Sequence, residues 1–450
     1  MTMKKKSRGE CNLFILISAG AVSCCAAGAL AQVEYRVEPI PFPDGARALG
    51  AVGLNNSNEV TGGALIDTQV HPYLYSDGQP TILDQVPGIN TSGLAVSDAS
   101  HVSGWMYEWG VIWPTAFLWD GSGNHFLTDP DDSYTYGQGM NDSDQVVGFY
   151  YPPNAHPNGD AFVCTDGEYY NLGSGQAEDI NNDGIIVGQI NRYFGATAVW
   201  EPNGNGGWDR TVLDGLLATS VNESGTMFVG AGPIESYFEQ AACWNRTDGE
   251  WVRTDIGDWD PQVTASIAHD VNDSEQVVGD FQSFEDPDRG WLYENGQVTW
   301  LTDLLAPQYA GWEITRAIQI NESGVVLAEG SLDGELPRPV LLVPTRLTVL
   351  GPRPGLAGEV NEFITTSATS GNRVHFVYGM AEGSRQVPGC SGVYVGIQSP
   401  MIFGSAVADM NGEARLSMYV PGAAAGRTVY LQAVEPATCT VSNVLRYEIR

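Results

Sequence analysis

The chain has 450 residues and a formal net charge of −33 at pH 7, with 54 acidic and 21 basic residues. From Gln32 onwards it has no lysine, and 17 arginines stand against 53 acids, a net charge of −36. Nucleic-acid binding needs a basic surface, so this balance excludes nucleic acid as a partner.

The first 31 residues have the pattern of an export signal. A basic region at residues 4–8 precedes an apolar run at 13–22, and residues 29–31 form a small-residue cleavage site. Lipoprotein processing at Cys24 is the alternative, but the leucine of that motif is missing. We expect a protein that is secreted, periplasmic or at the cell surface after cleavage near Ala31. No later segment predicts a transmembrane helix.

A pattern then repeats seven times between about residues 48 and 345. Each copy has a small residue, an apolar residue directly before a turn residue, a short β-branched run and, in six copies, a glycine. Asn and Ser at such a turn satisfy the backbone locally, so the pattern predicts tight hairpins. The seven turn residues are Asn55, Ser97, Asn141, Asn181, Asn222, Asn272 and Asn321. The small residues four positions earlier are Ala51, Gly93, Gly137, Ala177, Ala218, Ala268 and Ala317.

The second half of the pattern adds an apolar-aromatic strand, a turn such as Asp120-Gly121, and one more short strand. Four strands every 40 to 50 residues is the period of a β-propeller blade. The predicted fold is therefore all-β, with a seven-bladed β-propeller over residues 32–345. A two-sheet sandwich and a β-solenoid are the alternatives. Regularity argues against the first and the long period against the second.

The seventh copy has no clear fourth strand before the linker. The spare strand at residues 33–37 precedes the first copy, and we expect it to fill that open edge, because an unpaired edge invites aggregation. The propeller would then close by strand exchange between the two ends of the repeat array.

The hairpin resembles the bacterial extracellular HAF repeats, in which an Ile-Asn-x-x-Gly-x-Val-Val-Gly hairpin precedes a His-Ala-Phe strand. The match is best at residues 180–188, and it covers about residues 48 to 345. The His-Ala-Phe triplet is degraded, since only His71 supplies the histidine and another copy reads Thr115-Ala116-Phe117. The resemblance implies a secreted or surface protein and no defined activity.

The composition changes after residue 345. All 12 tryptophans precede this point, and the rest alternates in the manner of short strands. We predict a β-sandwich domain over residues 346–450. It resembles an uncharacterised C-terminal module of bacterial exported proteins, on marks such as residues 377–379 and 388–390, which implies surface location. Its only cysteines, Cys390 and Cys439, are predicted to form a disulfide. Cys164 and Cys243 are predicted to be buried free thiols.

Two groups of residues are candidate binding residues. Glu178, Asp179, His269 and Asp270 lie in predicted innermost strands, at or near a central channel, where they could bind a cation or act as acid and base. A solvated channel lining is the alternative. Trp105, Trp109 and Trp113 belong to a predicted aromatic loop that could stack on sugars, or pack over a blade edge instead.

Other chemistry has little support in the sequence. Residues 181–184 read Asn-Asn-Asp-Gly, but the copies carry too few regular acids for calcium loops, so we expect Asx turns and no cofactor, with calcium binding as the alternative. The histidines have no metal-ligand spacing, and no Gly-x-Ser-x-Gly or P-loop is present. The turns also create sequons, interpreted as by-products of turn chemistry, at Asn141, Asn222, Asn272 and Asn321.

These observations predict an exported, non-catalytic binding or surface-structural protein. It would be monomeric, with a glycan or cell-surface component as its partner. The alternative is a secreted hydrolase or lyase that acts on polysaccharide through the channel-mouth carboxylates, because a propeller fold does not fix function.

Overall fold

The computed structural model describes residues 34–83, 89–108, 114–127, 134–151, 159–190, 195–233, 239–257, 264–283, 287–390, 393–409 and 412–450. These residues form an all-β protein, whose only helical elements in the described ranges are three short 3-10 turns. Seven of its sheets are four-stranded and antiparallel, with neighbouring strands joined in chain order except at one place.

The exception involves the first strand, Tyr35–Pro39 (β1). Six sheets follow it along the chain. Sheet 1 contains Ala46–Leu54 (β2), Val60–Ile66 (β3), Gln69–Ser76 (β4) and Gln79–Ile82 (β5). Sheet 2 contains Ile89–Val96 (β6), Val102–Glu108 (β7), Thr115–Trp119 (β8) and Asn124–Leu127 (β9). Sheet 3 contains Tyr134–Met140 (β10), Val146–Tyr151 (β11), Asp160–Thr165 (β12) and Glu168–Ser174 (β13). Sheet 4 contains Gln176–Ile180 (β14), Ile186–Gln189 (β15), Thr197–Pro202 (β16) and Trp208–Leu213 (β17). Sheet 5 contains Leu217–Val221 (β18), Met227–Pro233 (β19), Glu239–Thr247 (β20) and Glu250–Asp255 (β21). Sheet 6 contains Thr264–Val271 (β22), Val277–Ser283 (β23), Arg289–Glu294 (β24) and Gln297–Trp300 (β25).

The 3-10 turns Leu301–Leu304 and Pro307–Tyr309 lead into sheet 7. Its own strands are Trp312–Ile320 (β26), Val326–Leu332 (β27) and Arg338–Pro344 (β28), and β1 is the fourth. The C-terminal strands are Thr348–Val349 (β29), Val360–Thr366 (β30), Arg373–Gly379 (β31), Glu382–Gln386 (β32), Tyr394–Ile397 (β33), Met401–Val407 (β34), Ala414–Tyr419 (β35), Thr428–Glu435 (β36), Thr440–Val441 (β37) and Leu445–Glu448 (β38), with a 3-10 turn at Gly422–Ala424.

Sheet 7 is completed by strand exchange, as the sequence predicts. β1 pairs antiparallel with β28, from Tyr35 opposite Pro344 to Pro39 opposite Val340. The strand begins at Tyr35, two residues later than predicted, and ends at Pro39. Tyr35 and Val37 are buried in the core of sheet 7. The beginning of the chain therefore covers the edge that β28 would otherwise leave open.

The first strand of every one of these seven sheets carries the same β-bulge. The pairing register shifts by one residue just after the repeated small residue, for example between Ala177 and Asp179 in sheet 4. The repeat glycine stands opposite that small residue, as Gly188 does opposite Ala177. A Cβ on Gly188 would clash with the carbonyl oxygen of Gln176, so this position needs glycine. A bulge bends the strand and changes where its side chains point.

These first strands also contact one another in sequence. Each of them touches the first strand of the next sheet, and β26 of sheet 7 touches β2 of sheet 1. The contacts form a closed circle of seven first strands. Their hairpin turns, centred on the seven turn residues, consequently lie together at one end of the circle, which we call the turn ring.

The C-terminal strands form a three-stranded and a five-stranded sheet with a core between them, and β32 pairs with β33 in a separate two-stranded sheet. The three-stranded sheet has the order β29-β30-β35, and the five-stranded sheet the order β34-β31-β36-β37, with β38 also paired to β36. The core joins Phe363 and Ala414 of the first to Phe376, Leu431 and Leu445 of the second.

The cysteines behave as the sequence predicts. Cys390 and Cys439 are bonded to each other, with an S–S distance of 2.17 Å. Cys164 and Cys243 are buried and free, in the third strands of sheets 3 and 5. In the described part of the chain, no helix has the length and apolar composition that crossing a membrane requires.

Candidate functional site

The turn asparagines connect neighbouring sheets as well as closing their own turns. The Asn181 Oδ1 accepts hydrogen bonds from the backbone N–H groups of Asp183 (3.1 Å) and Ile185 (2.9 Å). Its Nδ2 donates to the backbone oxygen of Asn222 in the next sheet, at 3.0 Å. Because both ends of the amide are used, one side chain fixes a turn and joins two sheets.

Five of the seven copies make this bond between sheets. The donor and acceptor pairs are Asn55 to Ser97 (2.8 Å), Asn141 to Asn181 (3.0 Å), Asn181 to Asn222 (3.0 Å), Asn272 to Asn321 (3.0 Å) and Asn321 to Asn55 (3.0 Å). The last pair joins sheet 7 to sheet 1. Ser97 has no side-chain amide to donate, and the Asn222 amide donates to Thr226 instead. The sequon asparagines are buried, which agrees with interpreting them as turn residues.

A second circle of hydrogen bonds uses the residue after each turn residue. In all seven copies this residue is Asn, Asp or Glu, and its side-chain oxygen accepts a backbone N–H from the preceding turn. The donor and acceptor pairs are Asn56 to Asp98 (2.9 Å), Asp98 to Asp142 (2.7 Å), Asp142 to Asn182 (2.8 Å), Asn182 to Glu223 (3.0 Å), Ser224 to Asp273 (2.7 Å), Asp273 to Glu322 (3.2 Å) and Glu322 to Asn56 (3.0 Å). Sequence reasoning missed this circle, although an acid or amide in all seven copies was a visible signal.

The carboxylates of the turn ring are crowded, and those of Glu223, Asp273 and Glu322 are partly removed from water. The pKa of Glu223 is raised to about 8, mainly by burial and in smaller part by the neighbouring Asp273 and Asp142 carboxylates. Burial likewise raises the pKa of Asp273 and of Glu322, which lies beside Asp273 and Glu223. The backbone N–H groups that these oxygens accept act in the opposite direction.

Two arginines of the C-terminal region contact the turn ring. The Arg353 Nη1 is 3.3 Å from the Asp98 Oδ2, and the Arg450 Nη1 is 2.5 Å from the Asp183 Oδ2. The Asn443 Nδ2 also donates to the Ser274 Oγ at 3.3 Å. The C-terminal region therefore packs against the turns of sheets 2, 4 and 6.

Two of the predicted site residues, Asp179 and Asp270, meet across a serine. The Ser220 Oγ lies 2.9 Å from the Asp179 Oδ2 and 2.5 Å from the Asp270 Oδ1. A hydroxyl carries one proton, so it can donate to only one of two carboxylates. The other carboxyl makes a hydrogen bond here only when it is protonated. Burial raises the pKa of Asp270 to about 7 and also raises that of Asp179, which agrees with one proton being held between them.

Both aspartates are also bound to the backbone. Asp179 accepts the Val221 N–H at 3.0 Å, and Asp270 accepts those of Val271 at 2.9 Å and Ile320 at 2.8 Å. Together with Ser220 these bonds connect sheets 4, 5, 6 and 7. A polar cavity of about 120 Å³ at the turn ring is lined by both aspartates and Ser220.

The other two residues of the predicted constellation lie apart from this pair. The bulge residue His269 has its Nε2 2.8 Å from the Asp280 Oδ1, and the Arg316 Nε is 3.7 Å from the same carboxylate. The bulge residue Glu178 accepts from Gln138 at 3.3 Å and Gln189 at 3.5 Å. The four residues therefore do not form one cluster. The bulge separates each from its chain neighbour, and the described residues contain no group of three or more metal-ligating side chains that could hold an ion.

The predicted aromatic loop is wrong at its first residue, Trp105. Trp105 lies in β7, paired with Ser92 and Ala116, and not in a loop. Its ring stacks on Tyr107 at 5.8 Å and meets Tyr136 of the next sheet edge-on at 5.9 Å. Trp109 and Trp113 lie outside the described residues.

No protein-family profile and no curated protein matches the chain. It is similar to a structure from a study of two prolyl endopeptidases, with 11% identity over 73% of this chain and 56% of that one, and a TM-score of 0.45. It is also similar to the β-propeller domain of the Trilobed protease from Pyrococcus furiosus (12% identity, 71% and 91% coverage, TM-score 0.36) and to the WD40 domain of SCAP from fission yeast (10%, 92% and 98%, 0.34). The chain spans 56% of the length of the first of these. No functional conclusion rests on likenesses this distant.

Proposed function

We propose that this chain is an exported, non-catalytic binding or surface-structural protein. Its architecture would be a seven-bladed β-propeller of HAF-like repeats over residues 32–345, followed by a β-sandwich domain over 346–450. The closed circle of seven first strands and the strand exchange through β1 support the propeller. The core between the two C-terminal sheets supports the sandwich.

The non-catalytic proposal rests on the hydrogen bonds that engage the carboxylates of Asp179 and Asp270. Asp179 and Asp270 accept backbone N–H groups from neighbouring sheets and share Ser220. A general base needs an oxygen within reach of a substrate proton. Here the oxygens are engaged in holding sheets together, so their first role is structural.

The proposed setting follows from the sequence pattern. After removal of residues 1–31 the protein would be secreted, periplasmic or at the cell surface, without a cofactor and as a monomer. Its partner would be a glycan or another cell-surface component. The half-buried Trp105, stacked on Tyr107, offers the kind of aromatic face on which sugars pack.

Binding to glycan and cell-wall arrays, with and without calcium, tests this proposal. The mature protein should retain a ligand and release no product, and calcium should not change the retention. Trp105→Ala should weaken retention, while Trp208→Ala, which alters an aromatic residue of sheet 4, is the matched control. Product release from any arrayed polysaccharide would contradict the proposal.

The second candidate is a hydrolase or lyase that acts on polysaccharide, and one observation favours it. Burial raises the pKa of Asp270, which faces Asp179 across Ser220, to about 7, and such a value suits acid–base work at neutral pH. Turnover lost in both Asp179→Asn and Asp270→Asn, with unchanged circular dichroism and unchanged turnover in Glu250→Gln, would establish it.

A further inference from the structure

The C-terminal region contains a cavity that lies apart from the turn ring. It has a volume of about 430 Å³, within the range of small-molecule sites. It opens between the two facing sheets. Its lining is mainly apolar and includes Phe363, Tyr378, Phe403, Met418, Val429 and Leu431.

The cavity lies next to the edges of the two sheets, where β34 approaches β35. β34 and β35 are edge strands of the two sheets, and in the described residues each pairs with one neighbour only. The Phe403 ring of β34 lies 4.9 Å from that of Phe363 and 5.8 Å from that of Tyr378, so an aromatic wall lines the opening. At the rim, Met380 and Tyr419 are 54% and 58% exposed. Apolar surface of this kind is stabilised when a ligand removes it from water.

One charged residue lines the cavity. Arg427 is exposed, and its guanidinium makes no ion pair and no side-chain hydrogen bond within the described ranges. By contrast, Arg353, Arg415 and Arg450 of the same region each pair with a carboxylate. The polar side chain of Asn361 is already used by Gly355 and Leu356. Arg427 is therefore the group that is free to bind a ligand.

A guanidinium binds a carboxylate through two parallel hydrogen bonds. We propose that this cavity binds an aliphatic carboxylate of the fatty-acid class, with the chain between the sheets and the carboxylate on Arg427. This proposal does not depend on the function proposed above for the whole chain. A chain that is too short leaves apolar lining exposed, and one that is too long extends into water.

Titration of the mature protein with octanoate, dodecanoate and hexadecanoate, followed by calorimetry, tests the proposal. Binding should be saturable. It should strengthen about fourfold per methylene until the cavity is filled, and then level off. Arg427→Gln should weaken dodecanoate binding about 10-fold and leave dodecan-1-ol binding unchanged. Arg446→Gln, an exposed arginine on β38 outside the lining, is the matched control and should change neither.

A second variant tests the cavity itself. Met418→Trp places a larger side chain in the lining and should abolish binding of both dodecanoate and dodecan-1-ol, with the melting temperature measured in parallel. Absence of saturable binding at millimolar dodecanoate would overturn the proposal. So would equal effects of the two arginine variants, or binding of dodecyltrimethylammonium as tight as that of dodecanoate. Binding of an apolar peptide but of no carboxylate would assign the cavity to a protein partner instead.

Discussion

Replacing Asp270 by asparagine should change how stability depends on pH. Burial raises the pKa of this carboxyl from its ordinary 3.8 to about 7. Between those values the folded protein holds the proton more tightly than the unfolded chain does. The free energy of unfolding therefore falls as pH rises through this window, by about 1.4 kcal/mol per pH unit.

From pH 5 to pH 8 the Asp270 contribution falls by about 3 kcal/mol, since the change ends near pH 7. The asparagine variant has no proton to lose. Its amide nitrogen would face either the Val271 or the Ile320 N–H, a cost of about 1–3 kcal/mol that does not depend on pH. Relative to the wild type, the variant should thus gain about 3 kcal/mol between pH 5 and pH 8.

Urea unfolding followed by tryptophan fluorescence at pH 5, 6, 7 and 8 measures this difference. Repulsion across the acidic surface also grows with pH, but it affects both proteins and cancels in the comparison. Glu250→Gln, which removes an exposed carboxylate in β21, is the control and should show a constant difference. A wild-type to Asp270→Asn difference that stays constant from pH 5 to pH 8 would refute the reasoning.

Three further predictions concern stability. Deleting residues 34–40 removes the buried Tyr35 from sheet 7 and should cost about 5 kcal/mol, so an unchanged melting temperature would contradict the strand exchange. Asn321→Ala removes bonds to its own turn and to sheet 1 and should cost about 2–4 kcal/mol. Asn203→Ala, at an outer turn where the side chain bonds only within its own sheet among the described residues, should cost about 1 kcal/mol. Equal losses would refute the role of the turn ring. Reducing Cys390–Cys439, which closes a separation of 49 residues, should cost about 4 kcal/mol in the chain-entropy model, and mass spectrometry of the unreduced protein should find neither cysteine alkylated.

The features that the sequence predicts correctly depend on local residue patterns or on the number of strands and cysteines. The hairpins follow from Asx-turn chemistry at residues such as Asn181, and the four-strand period from alternation and turn spacing. The exchange strand follows because the seventh copy lacks a fourth strand. The disulfide follows because two cysteines stand alone in the C-terminal region and residues 1–31 predict export.

The features that were missed depend on packing between distant parts of the chain. The bulge that separates His269 from Asp270 is a register shift in the pairing of β22 with β23, and nothing local at residue 269 signals it. Ser220 stands between Asp179 and Asp270, which are 41 and 50 residues away from it. The contacts of Arg353 and Arg450 with the turn ring span 255 and 267 residues, so no local pattern indicates them.

Amide hydrogen exchange at the turn ring tests the central claim most directly, namely that these side chains hold the seven sheets together. The backbone N–H groups of Asp98, Asp142 and Asp273 each donate to a side chain of the next turn. They should exchange at least about 100-fold more slowly than those of the exposed outer turn at Asp77 and Gly78. Exchange of the turn-ring amides as fast as at the outer turn would contradict the account.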